Sequence, residues 1–511
     1  MKLSAILATA AALTAFALAP DVAQSYTNPI TIKGYKMFDA KTGAYFAAKG
    51  IDYYPRPNTG KLDANNIDFF TDDYYDIWSK DIEYLAGAGA NAVRLYAVDP
   101  TKSHDMFMCA LRSYGMYALV DLGASCEGCA ISNDKYPACY PPSLKARGEH
   151  IILAFAKYDN VLGFSAGNEV NHVVTDASIN APCQKKFIRD MRKFLDGCSK
   201  TIRSVPVGVV LADHQREENA RYYNCRTDPA DKFENAEWYG LNAYQHCNAK
   251  ATKMNEAGGF TKMATDFVDF KMSIPVMLTE FGCLNKEFPT VDGYEAQRTW
   301  LQAGWLFSPE MRAVFSGGFT FEFSTENANS KADSPYPFTK YGPQNYGLGY
   351  YQPATCDHST TPCVFTPMPN YKSLAAQYNA TTTAGEPTMT AFTPDSSRTA
   401  TPACPTGFSK LSESTWAVDT LSSIACPGAA LSFTCPNQVT SGTWVGTTQV
   451  STTTTPATAT PTTPTTTSTT PSGATPTPST TPKTGSNASS SGFAMSAISA
   501  CLALAMGVAF A

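Results

Sequence analysis

The chain has 511 residues and a formal net charge of −5, enough length for a large buried core and too much for one small domain. No basic stripe interrupts its mildly acidic composition, which argues against nucleic acid as a partner. Aromatic residues make up 12% of it, with 26 Tyr, rings that suit stacking on sugars as well as packing in a core.

The N-terminus opens Met1-Lys2 and runs on as a mostly apolar stretch to Ala19. That stretch is short for a membrane span and has the charged start and apolar centre of a secretory signal, expected over 1–23. The cysteines fit export. Of 15, Cys501 lies in a removable C-terminal tail, and the even remainder is expected to form disulfides. Cys126 and Cys129 have CxxC spacing but no matching His or second CxxC, so no metal site is expected there.

Over 26–380, strand-like and helix-like segments alternate, which implies a mostly parallel sheet. Strands are expected at 45–52, 92–96, 117–122, 161–165, 207–211, 238–242, 275–279 and 318–323. Helices are expected at 72–88, where Tyr75, Trp78, Ile82 and Leu85 form a stripe, at 143–157 with Ser143 as a cap, at 183–202 and at 294–307. Eight such units predict a (β/α)8 TIM barrel with decorated loops and an active site at the carboxyl ends of its strands. The alternative is a doubly wound open sheet, whose Gly-rich phosphate turn has no counterpart here.

Two of the apolar runs end in a carboxylate: 161–165 leads to Asn168-Glu169, and 275–279 leads to Glu280. Carboxyl groups held on two rigid strand ends suit glycoside chemistry, at about 5–5.5 Å for retention and about 6.5–9.5 Å for inversion. Asn168 beside Glu169 can hydrogen-bond a sugar hydroxyl near the reacting carbon, which favours Glu169 as general acid and then base. Glu280 is then the nucleophile, with Arg94 as a source of positive charge and the Tyr244 hydroxyl as a donor. A capping or surface carboxylate is the commoner role for any single Glu, and the pairing is what lifts these two above it.

Beyond Tyr378 the composition changes. A Cys-bearing segment is expected over 381–436, with Cys404, Cys426, Cys435 and Trp416, followed by a Ser/Thr/Pro-rich stalk over 437–485. The apolar end from Phe493 to Ala511, preceded by small residues around Asn487, reads as a glycosylphosphatidylinositol (GPI) anchor signal over 486–511, with a C-terminal membrane helix as the alternative. Asn379 heads an Asn-Ala-Thr sequon.

The segments AGNEV, YGLNAYQHC, PVMLTEFGC and NAVRLYAVDPTKSHDMFMCAL resemble, in order and spacing, those of the β-1,3-glucanosyltransferases of glycoside hydrolase family 72. AAKGIDYYP and YGLGYYQP fit more loosely. The resemblance covers about 28–378, and the signal, stalk and anchor layout is also similar. It implies a retaining barrel without metal or cofactor that cuts β-1,3-glucan and passes the new end to another glucan, at a cell surface to which it is GPI-anchored. It implies Glu169 as acid/base with Asn168, Glu280 as nucleophile, and Tyr96, Asp121 and Tyr244 lining the cleft. It also implies disulfides Cys247–Cys283 and Cys225–Cys356. The chain departs from the family in three places. Ser79 stands where Cys109 would find its partner, leaving Cys126, Cys129 or Cys139 as candidates. Phe321 stands where Tyr is frequent. Cys404, Cys426 and Cys435 do not reproduce an eight-cysteine glucan-binding module. These mark a divergent member. An endo-β-1,3-glucanase that only hydrolyses, or an inactive wall-binding protein, are the alternative readings of the same residues.

Overall fold

The structure, a computed structural model, describes residues 27–60, 66–245, 248–331, 333–399 and 401–436. The expected signal peptide, the stalk, the anchor signal with Asn487, and Cys247 lie outside the described residues.

Eight parallel strands close into a barrel: β4 (Ala48–Asp52), β5 (Ala92–Leu95), β6 (Tyr117–Asp121), β7 (Val161–Asn168), β8 (Val207–Ala212), β9 (Tyr239–Asn242), β10 (Val276–Phe281) and β11 (Phe315–Thr320). They neighbour one another in chain order, and β11 pairs with β4 to close the ring. All eight expected strands are present. The near-continuous apolar runs that announced them reflect burial on both faces, since helices cover the outside and side chains fill the inside.

Ala48, Ala92, Leu119, Leu162, Val210, Trp238, Met277 and Phe319 fill the barrel interior. A small antiparallel sheet, β1 (Ile30–Lys33), β2 (Lys36–Asp39) and β3 (Tyr45–Phe46), adds Ile30 and Met37 to the same cluster and so packs against the interior residues from β1 and β2. With apolar groups occupying the interior, polar residues at the carboxyl ends of the strands meet above a dry floor.

Outside the barrel lie α1 (Tyr75–Gly87), α2 (Asp105–Ser113), α3 (Pro142–Phe155), α4 (Ala177–Gly197), α5 (Arg216–Asn224) and α6 (Gly258–Phe270), then short α7 (Leu301–Trp305), α8 (Pro309–Arg312) and α9 (Asn327–Ser330). A hairpin of β12 (Gly349–Gln352) and β13 (Val364–Pro367) precedes α10 (Pro369–Ala380). Helix α1 buries Trp78, Ile82 and Leu85 of the expected stripe. Ser143 does not cap α3; it is already inside the helix, and its hydroxyl donates to the Gly128 carbonyl. Helix α4 starts earlier than expected because the Asp176 carboxylate caps it by accepting from Ser178 N–H.

The expected helix over 294–307 shrinks to α7. Ala296 and Trp300 have positive φ, which interrupts a right-handed helix. The reason lies in Arg298, a fully buried guanidinium that donates to the carbonyls of Gly282 (3.2 Å), Phe321 (2.8 Å), Gly347 (3.3 Å) and Tyr346. The segment is shaped to deliver that side chain between the loops that follow β10 and β11.

The cysteine pairing corrects the family pattern. Cys225 joins Cys404 and Cys356 joins Cys363, so the expected Cys225–Cys356 bond is absent. Cys109 joins Cys435 rather than Cys126, Cys129 or Cys139, which form Cys126–Cys129 and Cys139–Cys183. Cys198 joins Cys426. Cys283 is disulfide-bonded, and its expected partner Cys247 is not among the described residues. Three bonds thus staple the segment after α10 to α2 and to the ends of α4 and α5. That segment also buries Leu411, Trp416 and Val418 against the main core.

Candidate active site

Arg94 organises the mouth of the barrel. It follows Ala92 on β5 by two residues, so strand alternation turns it inward, and nothing of it is exposed. Its guanidinium donates to Asp121 on β6 (2.9 and 3.4 Å), to Glu280 on β10 (3.1 Å) and to Asn168 on β7 (2.9 Å). A buried cation of this kind is tolerable because it is paired and because its planar fork satisfies several acceptors at once. The neighbouring charges hold Arg94 protonated against the effect of burial.

Glu280 receives three donors. Arg94 Nη1 and the Tyr96 hydroxyl (3.0 Å) reach Oε1, and the Tyr244 hydroxyl (2.7 Å) reaches Oε2. Gly282 follows with φ +134°, and a Cβ there would come within 2.6 Å of Trp300 and 2.8 Å of Arg298; only glycine lets the chain leave Glu280 along this path. Among the described residues Glu169 receives a single side-chain donor, the Asn242 amide, at Oε1 (2.9 Å). The same amide reaches Asn168 Oδ1 (3.2 Å) and accepts from the Thr279 hydroxyl (2.8 Å). A continuous chain of hydrogen bonds therefore runs Glu169–Asn242–Asn168–Arg94–Glu280 across the mouth.

Both carboxyl groups are shifted upward. Burial, then the charge of Glu169, pushes Glu280 up to about 7 against Arg94, Tyr244 and Tyr96. Burial raises Glu169 against its one amide donor and the Arg94 charge. Two close carboxyls resist double ionisation, so near neutral pH they hold a proton between them. Glu169, with one neutral donor, takes it. Once it does, the Glu169 charge no longer adds to the effect of burial on Glu280, and three donors favour the ionised form of Glu280. One neutral acid opposite one anion is the division of labour that two-carboxylate chemistry requires.

The sequence-derived residues Arg94, Tyr96, Asp121, Asn168, Glu169, Tyr244 and Glu280 are all brought together here. Asn242 was not singled out, although its place at the end of β9 is the signal that flagged the others. Asp52, at the end of β4, was also missed. It is 1% exposed, and burial followed by the Glu280 charge holds it well above the usual carboxylate range against the Arg94 charge and the Tyr96 hydroxyl. Burial and the Glu326 charge do the same to Glu322 just beyond β11. Asp121, despite its Arg94 partner, is raised by burial to about 6. Phe321 and Tyr346 pack edge-on to Tyr244 at 6.1 and 5.5 Å between ring centroids, forming an aromatic wall beside Glu280. Cys126 and Cys129 are bonded to each other, and among the described residues no group of three or more His, Cys, Asp or Glu is placed to hold a metal ion.

A family profile described as glucanosyltransferase matches residues 19–331. The 1,3-beta-glucanosyltransferase gas4 of Schizosaccharomyces pombe is 33% identical over 321 residues, 61% of this chain and 64% of that protein. The 1,3-beta-glucanosyltransferase GAS5 of Saccharomyces cerevisiae is 31% identical over 62% of this chain and 61% of its own. The chain thus spans somewhat under two thirds of the length of these relatives. Among solved structures, Saccharomyces cerevisiae Gas2p in complex with laminaripentaose superposes with a TM-score of 0.56 at 27% identity, covering 74% of each chain.

Proposed function

Since the chain belongs to the glucanosyltransferase family, glycoside hydrolase family 72, we propose that it is a retaining β-1,3-glucanosyltransferase with Glu280 as nucleophile and Glu169 as acid/base. The observation that carries the assignment is the asymmetry of donors: three on Glu280 and one on Glu169. In the first step Glu280 attacks the anomeric carbon of a bound glucan while Glu169 protonates the departing sugar oxygen. In the second, Glu169 takes the proton from the hydroxyl of another glucan chain, which displaces Glu280. Tyr96, Asp121, Asn168 and Tyr244 line the cleft, and Arg94 holds the nucleophile ionised. The substrate reading draws on Gas2p, whose structures carry laminaritriose, laminaritetraose and laminaripentaose.

The test is product length. Incubated with a defined β-1,3-linked glucose oligomer, the enzyme yields products longer than the donor, and Glu280→Gln lowers turnover by at least about a thousandfold. Only shorter products at high oligomer concentration would identify a hydrolase. Unchanged turnover by the variant would remove Glu280 from the mechanism.

The apolar start, the Ser/Thr/Pro-rich stretch and the small residues around Asn487 ahead of an apolar end support delivery to the cell surface on a GPI anchor. Asn379, exposed on α10, suits an N-glycan. Phosphatidylinositol-specific phospholipase C is expected to release the protein from membranes. Retention after complete digestion would make the C-terminal stretch a membrane helix.

A further inference from the structure

Beyond β7 the chain makes a tight turn that the transfer chemistry above leaves unused. Glu169 sits at φ +50°, and the His172 N–H donates to the Glu169 carbonyl at 2.8 Å. Asn171 pins the turn to β8: its amide donates to the Ala212 carbonyl at 2.9 Å and its carbonyl accepts from Ala212 N–H at 2.9 Å, all buried. The turn is therefore fixed where it meets the barrel, and the imidazole of His172 has a defined position. Its Nδ1 lies 3.9 Å from Glu169 Oε2, the oxygen that Asn242 does not reach, and both side chains are about one fifth exposed, at 21% and 18%. The ring of His214 stands beyond it, 5.8 Å between centroids.

A separation of 3.9 Å is too long for a hydrogen bond. It is the right width for one oxygen atom to lie about 2.8 Å from both groups. The oxygen that must lie against Glu169 in the reaction is the one that exchanges its proton there. We propose that His172 is a second partner of that oxygen and positions the accepting glucan hydroxyl for transfer. The assignment rests on the transferase reading above.

The acceptor hydroxyl oxygen forms a bond to the anomeric carbon, and the ester bond between that carbon and Glu280 breaks with its electron pair returning to the carboxylate. The hydroxyl proton passes to Glu169. His172 contributes a hydrogen bond that fixes where the oxygen stands while the proton leaves. A sugar hydroxyl tethered to a bound chain gains most from such a contact, because its approach direction is set by the protein. A water molecule can reach the same carbon from several directions.

The experiment compares the parent enzyme with His172→Phe and His172→Gln on a defined β-1,3-linked glucose oligomer, separating elongated from shortened products. In His172→Phe the ratio of elongated to shortened products falls about tenfold and the acceptor concentration for half-maximal transfer rises. His172→Gln, which keeps a hydrogen-bonding side chain, recovers a substantial part of the ratio. Loss of folded protein scales both product classes together and leaves the ratio where it was, so a purely structural role is told apart. A ratio within twofold of the parent in both variants overturns the assignment alone. A parent that makes no elongated product removes the transferase reading and this assignment with it.

Discussion

At the residue scale the acid/base assignment can be tested through Asn242, which touches Glu169 without reacting. Thr279 donates to the Asn242 carbonyl (2.8 Å), and this bond turns the amide nitrogen toward Glu169. A donor to the ionised form lowers a carboxyl pKa, and the Asn242 amide is the largest influence opposing burial at Glu169. In the proposed mechanism the enzyme works with Glu169 protonated and Glu280 ionised. Its rate falls on the acid side as Glu280 gains a proton and on the alkaline side as Glu169 loses one. Asn242→Ala raises Glu169 further, so the alkaline limb of kcat/KM moves to higher pH, with a rate at the optimum lower by about tenfold or more. Tyr244→Phe removes a 2.7 Å donor from Glu280 instead, and the acid limb moves to higher pH. An Asn242→Ala profile with an unmoved alkaline limb would contradict Glu169 as the proton carrier.

At the scale of elements, the two strands that carry the carboxylates are the irregular ones. The ladders of β7 with β6 and β8, and of β10 with β9 and β11, all slip in register, whereas the four other pairings of the barrel run without a shift. Slips of this kind re-aim side chains at strand ends, and here they let Thr279 and Glu280 both serve the mouth. The tail after α10 is the other elemental feature. Trp416 is 3% exposed, donates to the Leu411 carbonyl at 2.7 Å and lies against Lys186 of α4. Phe408 stacks on Tyr222 at 3.9 Å between ring centroids. Trp416→Ala is expected to cost about 3–5 kcal/mol and to lower the melting temperature while leaving kcat/KM at 25 °C unchanged. A melting temperature within a degree of the parent would show that the tail is held by its disulfides alone. The strands were legible because burial on both faces writes an apolar run into the sequence, and the polar residue closing each run marked Arg94, Asn168, Glu169 and Glu280. The slips were not, because they arise between backbones of different strands. The pairing of Cys225 with Cys404 was hidden for a similar reason: nothing local to 381–436 announces that its low-complexity start leads into a packed strap. The helix expected over 294–307 failed because helical spacing in that stretch says nothing of the four carbonyls Arg298 must reach.

At the scale of the whole molecule, the buried acids set how stability responds to pH. Asp81, fully buried between the hydroxyls of Tyr53 and Tyr351 (2.9 and 2.5 Å), is raised by burial to about 7. Asp121 is raised to about 6, and Asp52, Glu169 and Glu322 are raised as well. A carboxyl with a raised folded-state pKa binds its proton more tightly when folded than when unfolded. Between the unfolded value near 4 and the folded value, the native state therefore carries more protons, and stability falls as pH rises. The stabilising contribution is complete below about pH 4 and is lost through pH 6 to 7. Carboxylates with lowered pKa, such as Glu386 beside Lys36 and Arg312 or Asp231 beside Arg189, act in the opposite sense and lose their contribution only as pH falls below about 4. Both side chains are partly buried, at 12% and 18% exposed, and above about pH 5 their contribution is already complete. The balance places maximum stability on the acid side of neutrality, and the melting temperature is expected to fall by about 5 °C or more between pH 5 and pH 8. Asp81→Asn keeps the shape of the side chain and removes its titration. Raised from 3.8 to about 7, that carboxyl alone corresponds to about 4 kcal/mol of pH-dependent stability, so the variant's melting curve should be visibly flatter across the same range. A melting temperature that rises from pH 5 to pH 8, or a slope untouched by Asp81→Asn, would mean that these acids are ionised in the folded protein and that the mouth of the barrel holds more negative charge than Arg94 can balance.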